Sequence, residues 1–175
     1  LGTAADVLRW ENTPKAEVSG IEGNLFIPLS NTLDWNTNFT YMISSKDKTY
    51  NQPLSIIPKY TDNSSLAWQA TGALDFQANV TVYGKQEPAT FDIRKGTEIT
   101  DSSGSLGAYA LFGLNMGYRV NENFRFRLGV NNLFDKKIYR TGLNSGTTNA
   151  VVRGAGARTY NEHGRGIYVS LTGSF

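Results

Sequence analysis

Apolar residues recur at every second position over segments of about ten residues along this 175-residue chain. Phe124, Phe126, Leu128 and Val130 fall on one side, and Arg125, Arg127 and Gly129 on the other. Near the end, Ile167, Val169, Leu171 and Phe175 oppose Tyr168, Ser170, Thr172 and Ser174. From 33 to 43 the apolar-leaning set is Leu33, Trp35, Thr37, Phe39, Tyr41 and Ile43, and 76–83 and 109–120 repeat the pattern. Successive side chains of a strand point to opposite faces, so the pattern predicts strands whose two faces meet different surroundings.

The polar side identifies those surroundings. It is rich in Asn, Gln, Ser, Thr and Gly, with Asn36, Asn38, Gln77, Asn79 and Asn115 among its members, and holds few Lys or Glu. That composition fits the wet lumen of a large barrel, and the apolar side then meets lipid. The connections sort by length as well. Ser30-Asn31-Thr32, Thr71-Gly72-Ala73 and Asn121-Glu122-Asn123 read as tight turns, alternating with long polar stretches near 44–57, 84–108 and 136–165. Short periplasmic turns and long extracellular loops give this asymmetry in outer-membrane barrels. Strands are expected at 15–28, 33–45, 58–70, 74–86, 106–120, 124–137 and 165–175, with Leu1 to Trp10 as the top of a further one. The expected fold is all-β: the C-terminal seven to eight strands of an antiparallel transmembrane barrel spanning 1–175, with more chain expected before Leu1.

Composition removes several alternatives. Mean hydropathy is −0.35 and no run approaches the roughly 18 apolar residues of a helical span. A net charge of +2 is too small for a nucleic-acid binder with a concentrated basic face. Without Cys there is no disulfide or thiolate chemistry. Leu1-Gly2-Thr3 has neither a basic nor an apolar leader, so an export signal is expected elsewhere.

Several ordered motifs carry a resemblance. They are Val18-x-Gly20-x-Glu22, Leu54-Ser55-Ile56-Ile57-Pro58-Lys59-Tyr60, Tyr83-Gly84-Lys85-Gln86 and Gly129-Val130-Asn131-Asn132-Leu133-Phe134-Asp135-Lys136. A further one, Gly154-Ala155-Gly156-Ala157-Arg158-Thr159-Tyr160-Asn161-Glu162, leads to Gly164-Arg165. Together they resemble the barrel of TonB-dependent outer-membrane siderophore receptors, in the ferric-catecholate branch, over essentially the whole chain. The resemblance implies a 22-stranded barrel around an N-terminal plug that carries the TonB box, neither of which lies in these residues. It implies uptake of a ferric siderophore across the Gram-negative outer membrane with TonB-supplied energy. The iron would arrive already chelated, so no cofactor or metal ligand of the chain's own is expected. Outer-membrane lipid and lipopolysaccharide, the barrel-assembly machinery and colicins or phage are the other partners implied. The alternating segment Ile167, Val169, Leu171 and Phe175 resembles the terminal assembly signal of such barrels, although Gly173 departs from the aromatic often found there.

Ferric tris-catecholates are anionic, which directs attention to charge. Between Lys136 and Arg165 stand six basic residues (Lys136, Lys137, Arg140, Arg153, Arg158 and Arg165) against one acid, Glu162. The stretch 44–59 is +2 and 84–108 is −1, so the last loop is the electropositive one. Arg140, Arg153 and Arg158, with the flat rings of Tyr139 and Tyr160, are the candidate siderophore contacts; lipopolysaccharide phosphates or plain solvation would account for the same charges. Arg119, Arg125 and Arg127 are expected to point into the lumen, either toward a plug or into solvent. His163 reads as a surface residue rather than an iron ligand, and no nucleophile–base pair emerges, so no catalytic residue is assigned. The competing architecture is a small self-contained barrel, porin or adhesin without TonB coupling.

Overall fold

The computed structural model describes residues 15–54, 57–87, 90–92, 97–98, 105–138 and 162–174. Ten strands follow in order among these residues: β1 (Ala16–Ser30), β2 (Leu33–Asp47), β3 (Gln52–Pro53), β4 (Tyr60–Gln69), β5 (Leu74–Tyr83), β6 (Phe91–Asp92), β7 (Thr97–Glu98), β8 (Tyr109–Arg119), β9 (Phe124–Asn131) and β10 (Gly166–Gly173). The long ones form one antiparallel meander, β1-β2-β4-β5-β8-β9-β10, with β3 appended to β2. Strands β6 and β7 pair separately, inside the second long connection.

The three tight turns are closed by the residues that announce them. Ser30 Oγ accepts the Thr32 N–H at 3.2 Å. Thr71 Oγ1 accepts those of Ala73 and Leu74 at 3.2 and 3.1 Å. Asn121 Oδ1 accepts those of Asn123 and Phe124, both at 2.9 Å. Short Ser, Thr and Asn side chains can reach backbone donors two or three residues on, which reverses the chain at little cost.

Register carries the alternation across the sheet. Trp35, Leu66, Ala78, Leu114, Val130 and Ile167 form one cross-strand row. Leu33, Trp68, Phe76, Met116, Leu128 and Val169 form a parallel one, in which Trp68 and Phe76 stack with ring centroids 5.7 Å apart. Phe126 and Leu171 pair on the same face, and Phe124 lies two residues below Phe126. The other face is a ladder of amides and hydroxyls. Asn63 Nδ2 donates to Asn38 Oδ1 at 3.1 Å, and Thr81 Oγ1 donates to Asn63 Oδ1 at 2.9 Å. Asn36, Ser65 and Asn79 form the adjacent row, and Gln77 pairs with Asn115.

Among the described residues, none packs over the apolar face. Ile167, Val169 and Leu171 are 71%, 62% and 65% exposed, and among the described residues only Tyr109 and Ile138 are buried hydrophobics. A sheet with a largely apolar face that no described residue covers needs an apolar medium beyond that face.

Two expectations about strand ends are corrected. The segment 124–137 stops being a strand at Asn131, because Asn132 and Asp135 adopt left-handed backbone, φ 48° and 50°. Asn and Asp tolerate that region through local hydrogen bonds. The alternation of β2 is broken at Ile43, which has no register partner. Gly20 pairs with Met42 and Ser19 with Ser44, so one extra residue bulges from β2. Leu1 to Trp10, Phe175 and the bulk of the last loop lie outside the described residues.

Candidate functional site

The long connections all emerge from one edge of the sheet, and there the structure builds a series of clamps. The first ties the wall to the entrance of β10. Tyr83 and Tyr109 pair across β5 and β8 on the amide-rich face, ring centroids 4.9 Å apart, and Tyr109 Oη donates to Glu162 Oε1 at 2.7 Å. Tyr109 is 4% exposed and Glu162 is part-exposed, so the contact is shielded from water on the tyrosine side.

The second clamp closes the base of the last loop. Asn132 Oδ1 accepts the Lys136 N–H at 2.8 Å, while its Nδ2 donates to the carbonyls of Lys136 and His163, both at 2.9 Å. Asp135 Oδ1 accepts the Arg165 N–H at 2.9 Å. That hydrogen bond, aided by the charges of Lys137 and Arg165, holds the Asp135 carboxyl below the usual carboxylate range. The left-handed turn at 132–135 thus aims one amide and one carboxylate at residues about 30 positions later. The segment 137–162 therefore leaves and re-enters the wall at nearly one point.

The first two loops are joined in the same way. Asp47 accepts the backbone N–H of Thr49 at 2.8 Å and Gln52 Nε2 at 3.4 Å, and Gln52 Oε1 accepts the Thr90 N–H at 3.0 Å. Lys48 and Glu17 are paired at 2.6 Å. A cavity of about 360 Å³ lies under this joint, with Lys46, Lys59, Lys85 and Glu87 in its lining.

At the opposite edge, two of the three arginines expected on the polar face are engaged within the wall. Arg125 pairs with Asp75, and Arg119 donates to the Gly72 carbonyl. Arg127 shares a register row with Gly117 and Ser170. Between the edges, the Tyr168 ring crosses Gly129 so that its hydroxyl meets Asn115. A side chain at 129 would occupy the space of that ring, which gives the glycine a packing reason.

Of the residues singled out from sequence, Ile167, Val169 and Leu171 stand on the exposed apolar face. Tyr139, Arg140, Arg153, Arg158 and Tyr160, together with Phe175, lie outside the described residues. The described residues on either side of their loop are tied together by the clamps. His163 serves that base through its carbonyl. Sequence reasoning overlooked Tyr109, Glu162, Asn132 and Asp135. The Asn-Asn-Leu-Phe-Asp run held the signal for two of them, since it places turn-forming side chains directly after an alternating strand. Among the described residues, no group of three or more His, Cys, Asp or Glu is placed to hold a metal ion.

Comparison with known proteins gives this geometry a context. The family described as TonB dependent receptor-like, beta-barrel matches residues 1–133. The ferric enterobactin receptor PirA of Pseudomonas aeruginosa is 48% identical over 174 residues, which is 99% of this chain and 22% of that protein. The ferrienterobactin receptor of Escherichia coli is 42% identical over 97% of this chain and 23% of its own length. Among solved structures, a mutant of the Pseudomonas aeruginosa ferric enterobactin receptor PfeA in complex with enterobactin superposes with a TM-score of 0.79 and 48% identity, covering 95% of this chain and 24% of that one. The chain thus spans less than a quarter of the length of the curated relatives it matches.

Proposed function

Because the chain belongs to the TonB-dependent receptor β-barrel family, we propose that it forms the C-terminal wall of an outer-membrane receptor that imports a ferric siderophore of the catecholate class. The observation that carries this reading is the likeness, at 42–48% identity over nearly the whole chain, to receptors named for ferric enterobactin, one of them solved with enterobactin bound. The two-faced sheet supports it independently. Its apolar face requires lipid and its amide-rich face a wet lumen. A self-contained porin or adhesin would leave the likeness to siderophore receptors without a reason.

In this reading the tight turns face the periplasm and the clamped loops face the medium. The iron is cargo, delivered already chelated, and the chain performs no catalysis. The last loop supplies positive potential through Arg140, Arg153 and Arg158, with Tyr139 and Tyr160 offering faces to catechol rings. Energy reaches the site from TonB through the N-terminal portion of the intact receptor. Ile167, Val169, Leu171 and Phe175 present the terminal strand to the barrel-insertion machinery. Lipopolysaccharide surrounds the upper wall, and colicins or phage are further ligands of the exposed loops.

The test is energised uptake. The intact receptor, expressed in a Gram-negative strain lacking other catecholate receptors, is expected to accumulate labelled iron from a ferric tris-catecholate only when TonB is present. Absence of uptake, or uptake that survives loss of TonB, overturns the proposal. Within it, replacing Arg140, Arg153 and Arg158 together by Gln is expected to slow association most at low salt, since exposed charges are screened over about 8 Å at physiological ionic strength. Unchanged affinity and unchanged salt dependence would remove the loop as a contact and leave the receptor assignment in place.

A further inference from the structure

The apolar face carries one polar interruption. Thr37 pairs with Ser64, and Asp62 pairs with Phe39, so all three polar residues share the face of Trp35, Leu66 and Val80. They form a closed cluster. Thr37 Oγ1 donates to Asp62 Oδ1 at 2.7 Å, and the Ser64 hydroxyl lies 2.9 Å from Asp62 Oδ2 and 2.7 Å from Thr37 Oγ1. A carboxylate on a lipid-facing wall is expensive, and an ionisable group at such a position marks function by default.

Proton counting defines what the cluster lacks. Two hydroxyls bring two protons, whereas an ionised carboxylate offers about four acceptor sites. Both protons are already used within the cluster, so whatever covers it should bring a donor. Directly beside Ser64 runs a groove of about 470 Å³ lined by Trp35, Leu66, Ala78, Val80 and Phe112, in which the small Ala78 and Ser64 leave a furrow between larger neighbours. Asp62 stands two residues below Tyr60, whose row with Tyr41 forms an aromatic level at the loop edge of the strands. Two residues along a tilted strand correspond to a depth of about 5 Å beneath that level. Lys59 lies over the Tyr41 ring, Nζ 4.9 Å from its centroid, and places a cation above the cluster.

We propose that this surface binds an outer-leaflet phosphoglycolipid whose chain fills the groove and whose hydroxyl or amide N–H, a few ångströms below the headgroup, donates to Asp62. The vertical order of cation, acceptor cluster and apolar furrow matches that of an anionic headgroup, a donor-bearing linkage and an acyl chain. Ordinary diacyl phospholipids bring only ester acceptors to this depth and leave the carboxylate unmet. The inference rests on the membrane reading above.

The test uses the intact receptor, freed of lipid and reconstituted into phosphatidylglycerol vesicles with or without lipid A, whose chains carry hydroxyl and amide groups. Lipid retained per receptor is read by native mass spectrometry. The wild-type receptor is expected to hold lipid A in preference to phosphatidylglycerol. Asp62→Asn, and Thr37→Val combined with Ser64→Ala, should lower lipid A retention roughly three- to tenfold while leaving phosphatidylglycerol retention and siderophore binding unchanged. Equal lipid A retention in the variants, or equal loss of both lipids, overturns the proposal. A second receptor copy cross-linked through position 64 and not displaced by lipid A also overturns it. Should the variants fold poorly, the wild-type receptor decides alone: no preference for lipid A over phosphatidylglycerol retires the site. A receptor that reaches the outer membrane and takes up siderophore, yet shows no preference, fails this inference alone. One absent from the outer membrane fails the reading beneath it.

Discussion

Tyr109 and Glu162, separated by 53 positions in sequence, meet through a 2.7 Å hydrogen bond that ties the top of β8 to the segment entering β10. A hydrogen bond to a charged partner contributes about 1.5–3 kcal/mol, and the part-exposed Glu162 places this one at the lower end. Tyr109→Phe keeps the ring contact with Tyr83 and removes only the donor. Amides around 162–166 are then expected to exchange roughly tenfold faster in the intact receptor, with β8 itself unaffected. Hydrogen-exchange mass spectrometry reads both regions, and equal rates at 162–166 would show that the bond does not hold the loop.

The Asp135–Arg165 contact gives the loop base a pH dependence of definite sign. The folded carboxyl titrates below its unfolded counterpart, chiefly because it accepts the Arg165 N–H. Its contribution is therefore complete above the unfolded value, about 3.9, and is lost as pH falls below that value through the folded one. Opening near 135 and 165 should rise over that acidic window, and Asp135→Asn should flatten the response. Exchange measured from pH 6 down to pH 3 makes the comparison; a variant with the wild-type profile would assign the opening to other groups.

Gly129 is expected to be intolerant in a graded way. Gly129→Ala pushes against the far end of the Tyr168 ring, which swings aside and gives up Asn115. The expected cost is about 1 kcal/mol, the size of one hydrogen bond. Gly129→Val needs more room and should lower the folded yield. Heat-modifiability on gels ranks the two, and equal behaviour of Val and Ala would show that the ring does not set the limit.

Assembly and ligand binding should separate at the C-terminus. Ile167, Val169 and Leu171 are exposed on the apolar face and touch none of the loop clamps. Removing Phe175 is expected to reduce the amount of receptor folded in the outer membrane, while receptor that does assemble binds siderophore normally. Surface abundance and ligand titration are measured on the same cells, and full abundance after the deletion would refute the separation.

The faces of the sheet were legible because a period of two is a local property, repeated in each long strand and backed by turn residues that close their own turns. Strand ends were harder. The run through Asn132 looks continuous with β9, and only the left-handed backbone at 132 and 135 shows that the chain leaves the sheet there. The clamps were invisible because each joins residues 30 or more positions apart by one or two polar contacts. Arg125 shows the boundary clearly. Alternation put it on the polar face, but Asp75, the wall carboxylate it pairs with, belongs to β5, two strands away in the sheet. The Thr37–Asp62–Ser64 cluster was half visible. Thr37 counted as a tolerable member of an apolar row, and only the register of β2 on β4 brings the carboxylate to it.

From β4 to β10 the pairing runs one residue to one, without a slip. Such a wall counts in parity. Inserting one residue into β5 would turn everything beyond it over, sending Asn79 to the lipid and Val80 to the water, whereas inserting two preserves sides and merely lengthens the strand. The irregularities at Ile43 and Leu29 show how an odd residue is absorbed when one must be: near a strand end, where little of the strand remains to be inverted. Sequence drift in this wall should accordingly proceed by substitution within strands and by insertion in the loops, whose clamped bases hold the strand ends whatever length passes between them.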